Sequence, residues 1–441
     1  MLPHRLKRLA GRALRHVHRE FIVRRLPHGL LGWRYLWVRR RPELQIHRML
    51  WWNAPRRLPR PVWLMGELCL WLRWVGFDAW RANWHCLRFF GPEVRSREGL
   101  ALSLQAWRTL RLSLAWCIRP QDAYRYRLYR DPGVALDFVF DHELIAYHRW
   151  RSAPLGLQQE SLALLQDKLR LAERLAAVGI PMVPTLARVP RGACPDLGRW
   201  LQGEKALFCK TASGHAGIGA FAVWETPAGL QGRSHDGTEL RSPEEVQAAW
   251  RALLRRDDAL VQPRQVNHPD LQPLTECDGV VNVRFISRWC GEKLACLSAM
   301  LEVPSSSQKG ERIFVFLPID RDSGRLHPSP ESLLLSGDVR RSVEQIARRL
   351  ETVSMVPGWQ ELTEMTFRAH ELFPDVWAIA WDWVVTPEGP RLLEGNSGWG
   401  ASRVQMVNGG LLAARNACGQ DPEVGPGRPA PVHAGLPASS R

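Results

Sequence analysis

The chain has 441 residues, of which 45% are hydrophobic and 24% are charged. These proportions are typical of globular proteins and exclude a fibrous or largely disordered chain. The formal net charge is +16, but it is unevenly distributed, because residues 1–130 carry +20 and residues 131–441 carry −4. A basic N-terminal region is therefore joined to a nearly neutral remainder, and the length predicts about three domains.

Residues 1–130 are predicted to form a mainly helical region rich in Arg and Trp, with breaks at Gly91-Pro92 and at Pro120. Its start places six apolar side chains on one helical face: Leu2, Leu6, Leu9, Ala13, Val17 and Phe21. Arginines surround this face, and such basic amphipathic helices bind anionic membranes. Residues 1–60 are therefore a candidate contact with an anionic membrane surface. Packing on the protein's own body, nucleic-acid binding and an organellar transit sequence are the alternatives, but no nucleic-acid motif is present and no nucleic-acid partner is expected.

The cysteines and the absence of long apolar runs predict a cytoplasmic protein. No Cys-x-x-Cys pair occurs among the nine cysteines, so reduced thiols are expected and a zinc site is not. No signal peptide is visible, and no stretch of about 18 residues lacks charge, so no membrane-spanning helix is predicted. The predicted location is the cytoplasm, with peripheral attachment to the inner face of the membrane if residues 1–60 bind lipid.

Beyond residue 130, strand patterns alternate with a few helices. A short strand is predicted at 134–140, a helix at 161–178 and a strand at 182–185. Further strands are predicted at 206–210, 219–224, 259–262, 280–286, 313–319, 377–385 and 391–394. Further helices are predicted at 243–255, 339–355 and 360–372. This mixture indicates an α+β fold with antiparallel sheets, followed by a disordered tail at 419–441 that is rich in Gly, Pro and Ala.

A glycine-rich hairpin follows a strand that ends in Lys210. Ser213, Gly214, Gly217 and Gly219 lie in its loop, where missing side chains would let backbone N–H groups approach phosphates. The loop is neither a Walker loop nor a dinucleotide fingerprint, because no Gly-Lys-Ser/Thr and no helix follow it. A flexible hairpin without a ligand is the alternative.

A second hairpin carries three oxygen ligands. Pro387-Glu388-Gly389 forms its turn and folds the strand of Asp382 beside the strand of Glu394. Asn396 lies two residues after Glu394 and so shares its strand face. Apolar neighbours indicate that these acids are buried, and buried acids need a partner. The pattern predicts a Mg²⁺ site completed by water and phosphate oxygens.

Three further segments add polar groups to apolar surroundings. Lys168 follows Asp167 in the predicted helix, and Arg284 projects from the apolar strand of residues 280–286. An arginine there needs a carboxylate or phosphate partner, in either a structural or a catalytic role. Residues 262–268 form a strand that runs into polar residues and suits an adenine-binding hinge.

Taken in order, these elements resemble the ATP-grasp superfamily, and in pattern the sugar-transfer-associated ATP-grasp family, over residues 158–418. The resemblance implies two α+β subdomains that sandwich ATP within residues 131–418, with a lid hairpin at about 205–262 and a metal-binding subdomain at about 275–418. It implies that Lys168 and Lys210 bind phosphates under the lid of residues 213–219. Gln262, Val266 and His268 would hold adenine and ribose, although Pro263 stands where such enzymes often have an acidic residue.

The resemblance further implies that Arg284 faces the transferring phosphoryl group, with Lys210 as its catalytic partner, and that Asp382, Glu394 and Asn396 hold Mg²⁺. Arg403 and Gln405 are candidates for contact with the acceptor. The implied activity is ATP-dependent carboxylate–amine ligation through an acyl-phosphate, on small-molecule or glycan-linked substrates of cell-surface polysaccharide synthesis. A phosphotransferase of the same fold and a non-catalytic nucleotide-binding scaffold at the membrane are the alternatives.

Overall fold

The computed structural model describes residues 41–54, 59–212, 219–275, 279–306, 312–330 and 337–413. The predicted amphipathic face of residues 2–21 and the predicted tail at 419–441 lie outside these ranges. The predicted membrane segment of residues 1–60 is described only at 41–54 and 59–60.

The described part of the N-terminal region is mainly helical, as the sequence predicts. Its helices are α1 Pro42–Asn53, α2 Arg60–Arg73, a π-helical turn Trp74–Asp78, α3 Ala79–Glu98, α4 Leu102–Trp116 and α5 Pro120–Arg125. The break predicted at Gly91-Pro92 is wrong, because α3 continues through Pro92. Arg88 and Pro92 are both exposed, so solvent can hydrate the carbonyl that loses its helical partner. None of the helices in the described ranges is long and apolar enough to cross a membrane.

The segment between the helical region and the sheets differs from two predictions. Residues 134–140 form no strand: a 3-10 helix spans Pro132–Asp137, and the backbone of Val139 pairs with the side chain of Gln405. After α6, Leu144–Ser152, the helix predicted at 161–178 is two helices, α7 Gln159–Gln166 and α8 Lys168–Ala176. Asp167 separates them, because its carboxylate accepts from the N–H groups of Leu169 and Arg170 and caps α8.

A six-stranded antiparallel sheet follows. Its strands are β1 Ala187–Val189, β2 Ala206–Thr211, β3 Phe221–Thr226, β4 Gly229–Ser234, β5 Glu239–Leu240 and β6 Ala259–Pro263, in the order β1-β6-β2-β3-β4-β5. Helix α9, Gly198–Leu201, and helix α10, Pro243–Arg256, complete an apolar core against it. The strand predicted at 182–185 is reduced to one bridge between Met182 and Leu392.

A five-stranded antiparallel sheet forms the second layer of strands. It contains β7 Asn282–Cys290, β8 Lys293–Ser306, β9 Arg312–Pro318, β10 Ala378–Thr386 and β11 Gly389–Asn396, in the order β11-β10-β7-β8-β9. One face packs on α8, α11 (Gly337–Arg349) and α12 (Trp359–Glu371). The other packs partly on α1, α6 and α13 (Ala401–Asn408). Because both faces are covered, β10 is buried along its whole length. The helices and the two antiparallel sheets confirm the predicted α+β fold.

A buried ion pair fastens α1 to the segment that connects the helical region to the sheets. His47 Nδ1 lies 2.8 Å from Glu143 Oε1, and His47 Nε2 lies 2.8 Å from the carbonyl of Leu136. Burial alone would lower the pKa of His47, but Glu143 and the Leu136 carbonyl raise it above its usual value. Burial would likewise raise the pKa of Glu143, whereas His47 lowers it. Each group therefore stabilises the charged form of the other.

Glu143→Gln is expected to lower the free energy of unfolding by about 3 kcal/mol, because it leaves a buried charge without its partner. The pKa of His47 is raised in the folded state. The ion pair therefore contributes fully to stability when the pH is below the ordinary histidine pKa, and this contribution is lost as the pH rises through the pKa of folded His47. Urea denaturation at pH values below and above these two pKa values measures both effects. The double variant His47→Leu/Glu143→Leu should lose less stability than Glu143→Gln, and the opposite order would contradict the explanation.

The cysteines are not all free. Cys290 is disulfide-bonded, so the prediction that all the thiols are reduced is wrong at this position. Six others are free: Cys69, Cys86, Cys117, Cys194, Cys209 and Cys296. A disulfide depends on two Cα atoms lying within about 7 Å in the fold, which chain spacing does not reveal. The cytoplasmic location that rested on reduced thiols stays a prediction.

Candidate functional site

Three neighbouring strands bring the charged residues of the candidate site into one row. In the register of the five-stranded sheet, Asp382 on β10 lies opposite Glu394 on β11 and opposite Arg284 on β7. Asn396 follows two residues after Glu394, as the hairpin pattern predicts. The alternate residues of β7 and β10 point into the apolar core on the opposite face. The row is therefore the polar part of a face whose continuation is buried under α1, α6 and α13.

Arg284 forms the centre of a carboxylate network. Its Nε and Nη2 donate to the two oxygens of Asp382 at 2.8 and 2.9 Å, and its Nη1 donates to Glu302 Oε1 at 3.2 Å. Arg403 Nη1 donates to the same Glu302 oxygen at 2.7 Å. Planar guanidinium groups suit such two-pronged contacts, so Arg284 and Asp382 hold each other in a fixed orientation.

The other half of the cluster joins two lysines to Glu394. Lys168 opens α8, and its Nζ lies 3.4 Å from Glu394 Oε2. Asn396 Nδ2 donates to Glu394 Oε1 at 3.1 Å and to Asp382 Oδ2 at 3.5 Å. Lys210 comes from β2 of the six-stranded sheet and interacts electrostatically with both Lys168 and Glu394. Both sheets therefore contribute cations to one carboxylate cluster.

Burial and neighbouring charges shift the pKa values in this cluster. Burial and the charge of Lys168 lower the pKa of Lys210 to about 8, while Glu394 acts in the opposite direction. Burial would raise the pKa of Glu394, but Lys168, Asn396 and Lys210 together lower it. Burial raises the pKa of Asp382 despite its pairing with Arg284. When the pH is near this pKa, a small change in pH or a nearby anion changes the charge of Lys210.

The donor set of the carboxylates fits Mg²⁺. Two carboxylates supply oxygen atoms, and the amide of Asn396, whose Nδ2 donates to both, would supply its Oδ1 after rotation of the amide. Mg²⁺ binds one or two carboxylates together with waters and phosphate oxygens. Within the described ranges no group of three or more His, Cys, Asp or Glu side chains forms a candidate metal site. Both oxygens of Asp382 accept bonds from Arg284 and retain lone pairs for a cation. Asp382, Glu394 and Asn396 therefore remain the predicted ligands.

The predicted adenine hinge lies at the connection between the two sheets. Gln262 is buried in β6, and its Nε2 donates to Thr185 Oγ1 at 3.1 Å and to the carbonyl of Val183 at 3.5 Å. Val183 N in turn donates to the carbonyl of Leu392 on β11 at 3.0 Å. Gln262 thus ties the six-stranded sheet to the strand that carries Glu394. Its predicted contact with the nucleotide stays a prediction.

The other hinge residues differ in exposure. The side chain of Val266 is 60% exposed. His268 N donates to the carbonyl of Val385 at 2.7 Å, and His268 Nδ1 accepts from Asp270 N at 3.2 Å. The hinge therefore runs beside the end of β10, and its residues contact neither Asp382 nor Glu394 through any described hydrogen bond.

Most of the predicted glycine-rich loop lies outside the described residues. Ser213, Gly214 and Gly217 are among residues 213–218, which the structure does not describe. Gly219 precedes β3 with φ +79°, a left-handed conformation that favours glycine, and a Cβ there would lie 3.1 Å from Arg256 Nη1. The hairpin strands β2 and β3 pair as predicted.

The structure adds one residue to the predicted site and removes another. Glu302 is not among the predicted site residues, although an acid inside the apolar strand β8 needs a partner just as Arg284 does. Gln405 is not available to an acceptor, because it is 1% exposed and its amide is bonded to Val139 and Leu411. Its side-chain amide bonds the backbone N–H and C=O of Val139, which no strand in the described ranges pairs with. Arg403 does reach the carboxylate network, through Glu302.

Comparison with known proteins gives a family for this chain. Residues 157–419 match the model of the family described as sugar-transfer associated ATP-grasp. No curated protein matches the chain. Three similar solved structures are two D-alanine–D-alanine ligases and one biotin carboxylase domain, each sharing 17% identity or less with this chain.

The ligase from Coxiella burnetii is 17% identical over 58% of this chain and 56% of its own, with a TM-score of 0.30. The ligase from Helicobacter pylori is 11% identical over 57% and 59%, with a TM-score of 0.34. The 2-oxoglutarate carboxylase biotin carboxylase domain from Hydrogenobacter thermophilus, solved with MgADP, ADP and bicarbonate, is 14% identical over 61% and 49%, with a TM-score of 0.34. This chain spans less than two thirds of each structure, and similarity at this level does not define its activity.

Proposed function

This chain belongs to the sugar-transfer associated ATP-grasp family, and we propose that it is an ATP-dependent ligase that joins a carboxylate to an amine. We further propose that the carboxylate or the amine is part of a cell-surface glycan or of a related metabolite. One observation supports the proposal most directly. Lys168, Lys210 and Arg284 converge from three separate elements on the carboxylates Asp382 and Glu394.

The cluster has the charges that phosphoryl transfer needs. Catalysis of this transfer consists mainly of positioning and of neutralising charge on the phosphoryl oxygens. Lys168 and Lys210 would hold phosphate oxygens, and Arg284, oriented by Asp382 and Glu302, would face the transferring group. Asp382, Glu394 and Asn396 would hold Mg²⁺, which supplies further neutralisation of phosphate charge when bound.

The proposed reaction has two balanced steps. An oxygen of the substrate carboxylate bonds to the γ-phosphorus while the bond between this phosphorus and the bridging oxygen of ADP breaks. The amine nitrogen then bonds to the acyl carbon, phosphate leaves with the original carboxylate oxygen, and the nitrogen loses a proton to solvent. This route needs no enzyme nucleophile. The chain's own residues bind and orient the substrates and neutralise charge on the phosphoryl oxygens.

A buried hydrogen-bond acceptor at the edge of the site supports recognition of the amine. Asn282 lies opposite Glu302, and its Oδ1 is a buried acceptor without a hydrogen-bond partner in the described structure. Unpaired buried acceptors are costly, so a donor that reaches this oxygen is favoured. An amine N–H near Asn282 and Glu302 would meet two acceptors at the edge of the phosphate cluster.

The proposal is tested by following the carboxylate oxygen. Candidate acids labelled with ¹⁸O are incubated with amines, ATP and Mg²⁺, and ADP, phosphate and organic products are analysed by mass spectrometry. Ligation predicts an amide and one ¹⁸O atom in the released phosphate. A phosphoester on a hydroxyl, with no labelled phosphate, would instead identify a phosphotransferase. ATP binding in calorimetry without any of these products would favour the non-catalytic nucleotide-binding scaffold, and no ATP binding with or without Mg²⁺ would contradict all three functions.

The lowered pKa of Lys210 predicts how nucleotide affinity depends on pH. An anionic phosphate beside Lys210 stabilises its charged form, so binding should take up a proton above about pH 8 and affinity should fall there as the pH rises. Calorimetry in two buffers with different ionisation enthalpies measures this uptake. Lys210→Met should abolish the uptake, whereas Lys205→Met, an exposed lysine before the same strand, should retain it. Equal uptake in both variants would contradict the assignment.

A further inference from the structure

An exposed apolar surface covers the N-terminal helices on the side turned away from the protein body. Helix α2, the π-helical turn and α3 form one continuous helical segment, Arg60 to Glu98. The strongly exposed residues from 61 to 80 are all apolar, and they include Val62, Met65, Leu68, Leu72, Phe77 and Trp80. Soluble proteins rarely expose a contiguous apolar area of this extent without a partner.

Helix α4 widens this surface. Trp74 Nε1 donates to the carbonyl of Ser113, and Asn83 Nδ2 donates to the carbonyl of Ala106, so α4 runs antiparallel beside the segment. Trp84 and Trp107 lie at the level of the second contact and are 67% and 62% exposed. We call this area the α2–α4 surface. It extends over helices α2, α3 and α4 and includes the exposed indole rings of Trp84 and Trp107.

The charges around the α2–α4 surface have one sign. Between residues 59 and 116 none of the four acids is strongly exposed: Glu67 is buried, and Asp78, Glu93 and Glu98 are half-buried in ion pairs with Arg73, Arg340 and Arg130. The exposed charged groups are arginines, among them Arg60, Arg81, Arg88 and Arg111. Arg81, Trp84 and Arg88 share one helical face by their spacing.

We propose that the α2–α4 surface binds an anionic phospholipid bilayer, with its helices parallel to the membrane plane. The opposite face of the segment carries Trp63, Leu70 and Trp74, which are buried in the protein, so only one face is available to lipid. Apolar side chains would enter the headgroup–acyl boundary, indole rings would lie at the interface, and arginines would contact lipid phosphates. The inference does not depend on the proposed ligase activity.

Charge argues against two other occupants. Residues 1–40 contain 11 Lys and Arg against one acid, a net charge of +10, so they repel the arginines around the surface. A second copy of the chain in a two-fold dimer would set the same arginines against each other. An anionic lipid surface complements both the apolar area and its basic border.

Two native cysteines test the proposal in the unmodified 441-residue chain. Cys69 lies on the α2–α4 surface, whereas Cys194 lies beside the six-stranded sheet, and both are free and exposed. Vesicles of phosphatidylcholine with phosphatidylglycerol should slow alkylation of Cys69, measured peptide by peptide, and leave the rate at Cys194 unchanged. Equal rates at Cys69 with and without vesicles would overturn the proposal. Protection of Cys69 that grows with protein concentration in the absence of lipid would overturn it too, because it identifies a second copy as the occupant.

Matched variants locate the contact by vesicle sedimentation. Met65→Glu should weaken binding about tenfold, because it puts a charge in place of an apolar side chain that would enter the bilayer. Met355→Glu, the same change at an exposed methionine outside the surface, should leave binding unchanged. Arg81→Ala and Arg88→Ala should each weaken binding about fivefold at low salt and have little effect on neutral vesicles. Normal binding by Met65→Glu, with binding lost on replacing Arg5, Arg8 and Arg12, would assign the contact to residues 1–40 and overturn the proposal.

Discussion

Glu394→Gln is expected to reduce ADP formation by about a thousandfold while the protein stays folded. Glutamine keeps the volume of the side chain but removes the charge that Lys168 faces at 3.4 Å and that lies beside Lys210. Mg²⁺ would lose one of its two carboxylate ligands. The Mg²⁺-dependent part of nucleotide binding should disappear in calorimetry, whereas metal-free binding should persist or tighten, because the cluster becomes more positive.

The control for this variant lies on the same hairpin. Glu388→Gln makes the same chemical change at the exposed turn, where the carboxylate accepts only from Thr386 Oγ1 at 2.9 Å among the described side chains. Its ADP formation should match that of the unmodified protein. If Glu394→Gln retained a tenth or more of the activity, Glu394 would not be a metal ligand in the proposed reaction.

Gly395→Ala is expected to be almost as damaging, although it adds only one methyl group. A Cβ at position 395 would lie 2.7 and 2.9 Å from Cζ3 and Cε3 of Trp381 and 3.2 Å from a methyl group of Leu165. Trp381 is fully buried, and its Nε1 donates to Ser287 Oγ at 2.9 Å, so the ring has no space to move. The backbone of β11 must shift instead, and it carries Glu394 and Asn396 on either side.

The expected cost is about 1–3 kcal/mol of stability, together with a loss of activity of about a hundredfold from misplaced ligands. Denaturant unfolding and ADP release measure the two effects. Gly398→Ala is the matched control, because no heavy atom lies within 4 Å of its added Cβ and its φ is not in the left-handed region. Unmodified stability and activity in Gly395→Ala would show that β11 is not fixed by this contact.

Much of the site follows from local sequence. The turn at residues 387–389, flanked by apolar strands, pairs the strand of Asp382 with the strand of Glu394. A β-bulge between Asp382 and Trp383 then shifts the register by one residue and sets Asp382 opposite Glu394, which the turn alone would not do. Side-chain alternation places Asn396 beside Glu394 and Arg284 on the polar face of β7. Short-range rules of this kind depend only on neighbouring residues, so the order and type of these groups are readable along the chain.

Other features depend on residues far apart in the chain. The division of the predicted helix at Asp167 is itself local, because its carboxylate caps the residues that follow, but the contact of Lys168 with Glu394 joins residues 226 positions apart. Glu302 enters the site only through the pairing of β8 with β7, and Gln405 leaves it because Val139 lacks a strand partner. The disulfide at Cys290 likewise requires a partner brought near by folding.

The sequence by itself determined the class of fold, the carboxylate–amide hairpin and the lysine- and arginine-bearing strands, because alternation and turn chemistry are local. Only the tertiary structure decided which cations meet which carboxylates, since those partners come from different sheets and helices. It also decided which apolar residues of the N-terminal helices are buried. Trp63 and Trp84 both lie in helical segments rich in apolar residues and arginine, so the sequence does not show which of them is buried. Trp63 packs into the protein and Trp84 is exposed, because burial depends on what lies opposite each helical face.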